Sequence, residues 1–383
     1  MIDEKIVIIG GGVVGASVAY HLTERGARDV VILEREDAIG RGSTGKATGG
    51  VRGQFETEIN IRLSLYSLDF FSNWDISCGY EPRGYLFLAT DQAQMDFLAA
   101  SSRKQVGLGY DEVRLVDRDE IDRAAPGLNL EDVVGGSFGP RDGFIDPVAV
   151  LEGFMGEAIR RGAALTTAID VTGILTERGA VNGVETSRGM LPCNRVVIAN
   201  GAWAQKLAAT AGVALPVEPL RRQIVWATLR KTLPNTYPMV IDLSNRFHFR
   251  PARGAGDEVL LAVPDPEERP GFSTAFDEAF IEKVIGKARL RAPFLADAEV
   301  DIEKCRAGLY ETTPDHHAIL GDCAIAGLYL ACGFSGHGVM HSPATGRALA
   351  EIILDGESRF LDVSSLHLDR FANGRLLKET AFI

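Results

Sequence analysis

Gly10, Gly12 and Gly15, with Glu34 nineteen residues beyond the last of them, are residue types at a spacing that can hold a nucleotide. The first glycine lets the chain turn sharply. The second lets the backbone come close to a pyrophosphate, and the third lets a helix pack tightly on a strand. Val13 and Val14 stand at the start of that helix, where unsatisfied N–H groups and the positive end of the helix dipole favour phosphate. The Glu34 carboxylate accepts hydrogen bonds from ribose hydroxyls and repels a 2′-phosphate, which argues against NADP. The set predicts a dinucleotide and leaves FAD and NAD both open.

Three further segments carry the same kind of chemistry. Gly40, Gly42, Gly45, Gly49, Gly50 and Gly53 punctuate a loop that also holds Ser43, Thr44, Lys46, Thr48 and Arg52. Such glycine density lets backbone approach a ligand closely. Gly201 and Trp203 follow a strand in Ala199-Asn200-Gly201-Ala202-Trp203. Gly333-Phe334-Ser335-Gly336-His337-Gly338, with Val339 after it, opens a last long helix whose first N–H groups can stabilise negative charge.

These residues need elements to position them. Lys5 to Ile9 reads as a buried strand, Val13 to Arg25 as a helix ended by Gly26, and Val30 to Glu34 as a second buried strand, together a βαβ unit. Helices are expected from Glu58 to Asn73, after Asp146-Pro147, and from about Ser342 to Leu354. Strands are expected at Tyr85–Ala89, Val181–Val184, Arg195–Ala199 and Gly327–Ala331, and the stretch from about 218 to 300 is β-rich. The interleaving predicts an α/β fold in which a discontinuous nucleotide-binding domain (1–84, 145–217, 300–383) receives a β-rich substrate domain (85–144, 218–299).

A chain of 383 residues exceeds what one hydrophobic core usually serves. Its net charge of -12 argues against nucleic-acid and acidic-membrane partners, while a few buried arginines still admit an anionic substrate. Met1-Ile2-Asp3-Glu4-Lys5 lacks the basic start of a secretory signal, and no run approaches the roughly 20 apolar residues of a membrane span. The cysteines, Cys78, Cys193, Cys305, Cys323 and Cys332, are scattered and read as reduced thiols. The expectation is a cytoplasmic chain with no transmembrane segment and no metal.

Taken together, the segments resemble the D-amino-acid-oxidase-like flavoproteins. The likeness is to the branch of glycine and sarcosine oxidases, dimethylglycine dehydrogenases and the β subunits of sarcosine oxidase and proline dehydrogenase. It rests on Gly10–Gly15, the loop from Gly42 to Arg52, Ala199–Trp203, Ala307-Gly308-Leu309-Tyr310-Glu311-Thr312-Thr313-Pro314-Asp315 and Gly333–Gly338, and spans nearly the whole chain. It implies FAD, held in a Rossmann-type domain of the glutathione-reductase and D-amino-acid-oxidase kind. By the same resemblance Arg35, Gly308, Gly336, His337, Gly338 and Val339 contact the cofactor, Val171 meets adenine through its backbone, and Trp203 packs nearby. His337 is assigned to flavin contact rather than proton transfer. Relatives that link the flavin covalently use a histidine or a cysteine where this chain has Lys46 and Gly308, so noncovalent FAD is expected.

The implied reaction is oxidation of a small amine or amino acid, a secondary, N-methyl or cyclic one being favoured, by hydride transfer to flavin N5. The resulting imine then hydrolyses. Arg52 falls in the register of the relatives' substrate-binding arginine and is expected to clamp a carboxylate. Tyr310, His248 and Arg250 are the other candidates for the catalytic pocket, and Arg221-Arg222 reads either as an anion site or as a solvated pair. Sarcosine oxidases carry a second cation where Met340 stands here, and place a lysine over the flavin at a position expected to be Leu261, which favours a dehydrogenase over an oxidase. Two alternatives accompany this reading: a catalytic subunit with a partner chain, and a non-catalytic flavoprotein assembly factor.

Overall fold

The computed structural model describes residues 5–254 and 256–379, so Met1–Glu4 and their acidic start lie outside it. Strand Ile6–Ile9 is buried at every position. It lies inside a six-stranded sheet ordered Ile319–Asp322, Leu328–Cys332, Arg195–Ile198, Ile6–Ile9, Val30–Leu33, Ala164–Thr166. All neighbours run parallel except Ile319–Asp322, which is antiparallel to Leu328–Cys332. Continuous apolar runs suit this sheet because both of its faces are covered. Helices Val13–Glu24, Glu58–Asn73, Pro147–Arg160 and Gly338–Asp355 share one core, and Val171–Glu177, Ala180–Thr186 and helix Ala204–Thr210 share the other.

Two of the fingerprint glycines, Gly10 and Gly15, are required where they stand. Gly10 has φ +110, and a Cβ there would lie 2.4 Å from the Ala199 carbonyl oxygen. A Cβ on Gly15 would lie 2.0 Å from the Gly10 oxygen, so this glycine serves the packing of helix against strand. The glycine-rich loop is partly ordered into a helical turn at Ser43–Lys46 and a short strand, Gly50–Val51, paired with Gly143–Phe144.

The last long helix begins at Gly338, four residues before the expected Ser342. Ser342-Pro343 reads as a helix start because proline lacks the N–H that an interior position must donate. Here Pro343 lies within the helix, and the Ser342 hydroxyl donates at 2.8 Å to the Val339 carbonyl, the acceptor that Pro343 leaves without its usual donor.

The second layer is a nine-stranded sheet. Its central path runs Glu299–Val300, Glu218–Thr228, Glu258–Ala262, His248–Pro251, Met239–Asp242, Tyr85–Ala89, Gly135–Gly139, Arg114–Val116. Strand Arg306–Thr312, beyond the residue-300 boundary expected from sequence, pairs along the first half of Glu218–Thr228 and so belongs to this sheet. Glu218–Thr228 is eleven residues long, enough for successive antiparallel partners. Between the layers, buried Asp142 accepts hydrogen bonds from Gly53 N (2.6 Å), Gln54 Nε2 (2.8 Å) and the Tyr110 hydroxyl (2.8 Å), which fixes the segment following Arg52. Arg370 grips Asp315 at 2.8 and 3.0 Å and ties down the C-terminal segment. No helix of the described residues is long and apolar enough to cross a membrane.

Candidate functional site

A cavity of about 440 Å³ lies between the two large sheets, lined by the strand ends and glycine loops of the first and by residues of the second. Every residue expected to hold the cofactor lines it except Gly15, which faces the Gly10 turn. Around the fingerprint, Glu34 accepts Gly11 N–H at 2.8 Å and Glu36 N–H at 2.9 Å, so it shapes the turn as well as facing the cavity. Thr44 Oγ1 accepts the Val13 N–H at 3.1 Å, and the Ser43 hydroxyl donates at 2.7 Å to the Leu309 carbonyl. The loop is thereby tied to the helix start on one side and to Arg306–Thr312 on the other. Val171 lies beside this end, because Ile169 N donates to the Glu34 carbonyl at 3.0 Å. Trp203 stacks under the Arg35 guanidinium at 4.2 Å.

The glycine cradle is closely packed. A Cβ on Gly50 would meet the Tyr85 hydroxyl at 1.8 Å, and one on Gly336 would meet the Tyr310 ring at 2.4 Å. Backbone therefore forms the cavity wall at positions where a side chain has no room. Ser335 takes φ +51 without being glycine, and its hydroxyl accepts the Thr313 N–H at 3.2 Å. Strain of this kind concentrates at ligand-binding loops. Phosphate-favouring N–H groups, a ribose-favouring carboxylate and bare backbone along the cavity wall together meet the needs of FAD.

On the side of the nine-stranded sheet, Arg52, Tyr310 and His248 reach the same cavity. Arg52 is 3% exposed, with its guanidinium 4.2 Å from the Phe55 ring and 5.4 Å from that of Phe87. Burial lowers its pKa, opposed by Tyr85, Glu379, Asp142 and Tyr310. Burial also raises the Tyr310 phenol. His248 is pushed down to about 4, first by burial and then by Arg52 and Arg222, against the pull of its bond to the Arg246 carbonyl. Its Nδ1 lies 3.1 Å from that carbonyl oxygen, an acceptor only, so Nδ1 carries the proton and Nε2 is left as an acceptor. His337, edge-on to Phe55 at 5.0 Å, is held neutral by burial, with Arg52 adding to the effect.

Two expectations are corrected. Arg250 does not line the cavity. Its guanidinium is drawn to the Pro251 carbonyl at 2.7 Å and to the Thr48 carbonyl, and lies 4.5 Å from the Phe144 ring, so it braces the glycine loop from outside. Leu261 is fully buried in the core of the second layer, and Ala262 lines the cavity instead. Adjacent residues of a strand face opposite sides, so Leu261 enters the core where Ala262 enters the cavity.

Sequence reasoning assigned no role to two other lining residues. Glu311 accepts the Gly333 N–H at 3.0 Å, and burial pushes it up to about 7, against the pull of the Gly333 and Phe334 N–H groups. An acidic residue one step beyond Tyr310 in a strand flanked by glycine loops was the available signal. Tyr85 lies on the first strand of the second layer, and its pocket-facing hydroxyl is announced only by the bareness of Gly50.

The profile of the FAD dependent oxidoreductase family (DAO) matches residues 5–352. FAD-dependent oxidoreductase domain-containing protein 1 of Xenopus laevis is 31% identical, spanning 96% of this chain and 82% of that protein. The 4-methylaminobutanoate oxidase (formaldehyde-forming) of Paenarthrobacter nicotinovorans is 29% identical over 96% of this chain and 46% of its own length. Among solved structures, L-proline dehydrogenase from P. horikoshii superposes with a TM-score of 0.90 at 30% identity, covering 98% of this chain and 99% of that one.

Proposed function

The chain belongs to the DAO family of FAD-dependent oxidoreductases, and from that premise we propose that it dehydrogenates a small amino acid whose nitrogen is secondary, N-methylated or cyclic. The observation that carries the reading is the convergence of Arg52, Tyr310 and His248 on the cavity that the glycine loops line. The names of two relatives, an L-proline dehydrogenase and a 4-methylaminobutanoate oxidase, describe enzymes for carboxylates bearing a secondary amine.

Bound FAD supplies a two-electron acceptor for the hydride that leaves the carbon beside the nitrogen. The residues expected to hold it are those of the fingerprint, the loop from Ser43 to Gly50, and Gly336–Val339. Arg52 holds the substrate carboxylate through its planar fork and so sets the α-carbon at a fixed distance and angle. His248 Nε2 accepts the amine N–H. The neutral amine is the reactive form because its lone pair becomes the C=N bond. The imine hydrolyses after release. Ala262 offers no cation to the cavity, which favours an acceptor other than oxygen, although Lys46 reaches the cavity beside Gly308 from the loop side.

An anaerobic screen of proline, sarcosine, other N-methyl amino acids and primary amino acids, followed by loss of flavin absorbance, tests this. Secondary amino acids should bleach the flavin fastest. Bleaching by none of them would overturn the reading.

A further inference from the structure

We propose that Arg222 is a second anion site in this cavity, and that the substrate of the reaction inferred above carries two carboxylates, one on Arg52 and one on Arg222. Arg221 and Arg222 are neighbours in strand Glu218–Thr228, so the pleat sends them to opposite faces. Arg221 turns outward, where its Nε meets Glu268 at 3.0 Å and its Nη1 meets the Ala275 carbonyl at 2.8 Å. Arg222 turns inward and lines the cavity. Its cross-strand partner is Gly308. With no side chain opposite, the guanidinium leans along the strand until it lies 5.5 Å from the Tyr310 ring.

Among the described residues the Arg222 charge has no committed counterion. Its Nε is buried and has no hydrogen-bond partner among the described residues, and Nη1 reaches only the Arg221 carbonyl at 3.3 Å. The acids that bear on it, Glu268 and Asp265, are taken by Arg221 at 3.0 Å and by Lys283 at 2.8 Å. A half-buried guanidinium with unused donors favours an anionic ligand, since leaving such donors unmet costs desolvation. Arg52, Arg222, Tyr310 and His248 all line the one cavity, so the two cations share a chamber. A substrate with one carboxylate would satisfy one cation and leave the other. An N-(carboxyalkyl) amino acid would satisfy both.

The inference rests on the proposed reaction for its substrate, yet its binding arm can be tested separately. Diglycolate and methoxyacetate carry two carboxylates and one, and neither has an amine to oxidise. Titrated into the FAD-loaded protein and followed by flavin absorbance, diglycolate should bind at least about tenfold more tightly. Arg222→Gln should collapse that ratio toward one, and Arg222→Lys should keep part of it, because charge survives while the fork is lost. Equal affinities in the unaltered protein, or an undiminished ratio in Arg222→Gln, would overturn the second site. In the anaerobic screen, iminodiacetate should then reduce the flavin at lower concentration than sarcosine. Reduction by sarcosine or proline alone would overturn the dicarboxylate substrate and leave the reaction standing. No reduction by any amine would overturn the reaction, and the diglycolate ratio would still decide Arg222.

Discussion

Arg52 is a fixed charge rather than a mobile one. Phe55 and Phe87 bracket its guanidinium, and Asp142 pins the backbone just after it. A fork fixed in this way orients a carboxylate, and a lysine in its place keeps the charge without the geometry. Arg52→Lys should therefore slow flavin reduction at subsaturating substrate by about tenfold, and Arg52→Met by about 100-fold, with FAD content unchanged. Anaerobic stopped-flow absorbance measures both, and equal rates would remove Arg52 from the substrate site. Glu311 makes a different kind of prediction. Its carboxyl is raised from an ordinary value of 4.5 to about 7, so the folded chain holds that proton more tightly than the unfolded chain does. Its contribution to stability is full below about pH 4.5 and is lost as pH rises through 7. Glu311→Gln removes the titration. Relative to the unaltered protein, the variant should gain on the order of 2 kcal/mol between pH 5 and 8, read from urea midpoints. Parallel pH profiles would show that the folded carboxyl is ionised throughout.

Elements carry the next level of constraint. The fingerprint helix Val13–Glu24 and the last helix Gly338–Asp355 cross where Gly346 faces Ser17, and the Ser17 hydroxyl donates at 2.7 Å to the Ser342 carbonyl. A Cβ on Gly346 would lie 2.2 Å from the Ser17 oxygen and 2.6 Å from its carbonyl. Gly346→Ala should cost about 1–3 kcal/mol of stability by forcing the helices apart, and should weaken FAD binding, because both helices begin at the cavity. Thermal melts and flavin titration report the two effects, and an unchanged melt would mean that the crossing yields easily. The elements themselves were legible where one signal dominates. Apolar runs gave four of the five parallel strands, the short and part-exposed Ala164–Thr166 being missed, Gly26 gave a helix end, and Glu58–Asn73 was read to the residue. The start of the last helix was not, because a hydroxyl contact compensates for a proline that local rules treat as a boundary. Arg250 was not either, since the Thr48 carbonyl it grips is 202 positions away and has no local signature.

At the scale of the whole molecule, the cavity exists only because two sheets built from interleaved segments close on it. The first sheet supplies the glycine-rich ends that local spacing made legible, and the second supplies a wall whose register only the folded chain fixes. That wall bears on how the cofactor is held. Gly308 stands on it opposite Lys46, with a Cβ at Gly308 only 3.2 Å from the Lys46 Cβ, so the two positions expected to govern covalent attachment meet inside the cavity and neither bears a thiol or an imidazole. Cys305, the nearest cysteine in sequence, is turned into the second layer, where its sulfur accepts the Trp226 N–H at 3.3 Å. His337 is packed edge-on against Phe55, and His248 is committed through Nδ1 to the Arg246 carbonyl. Attachment to His337 would require its packing against Phe55 to be given up, whereas His248 keeps Nε2 open and is the imidazole that the test must watch. FAD held by binding alone should leave when the fold is destroyed, so acid precipitation should move all the yellow colour to the supernatant, and the pellet should show no flavin fluorescence. The same linkage makes FAD a stabiliser of the folded chain, worth about 2.7 kcal/mol at a free concentration one hundred times its dissociation constant. Added FAD should therefore raise the melting temperature of the stripped protein in a concentration-dependent way. Flavin retained on the denatured pellet would overturn noncovalent binding, and would direct the search for the bond to His248 and His337.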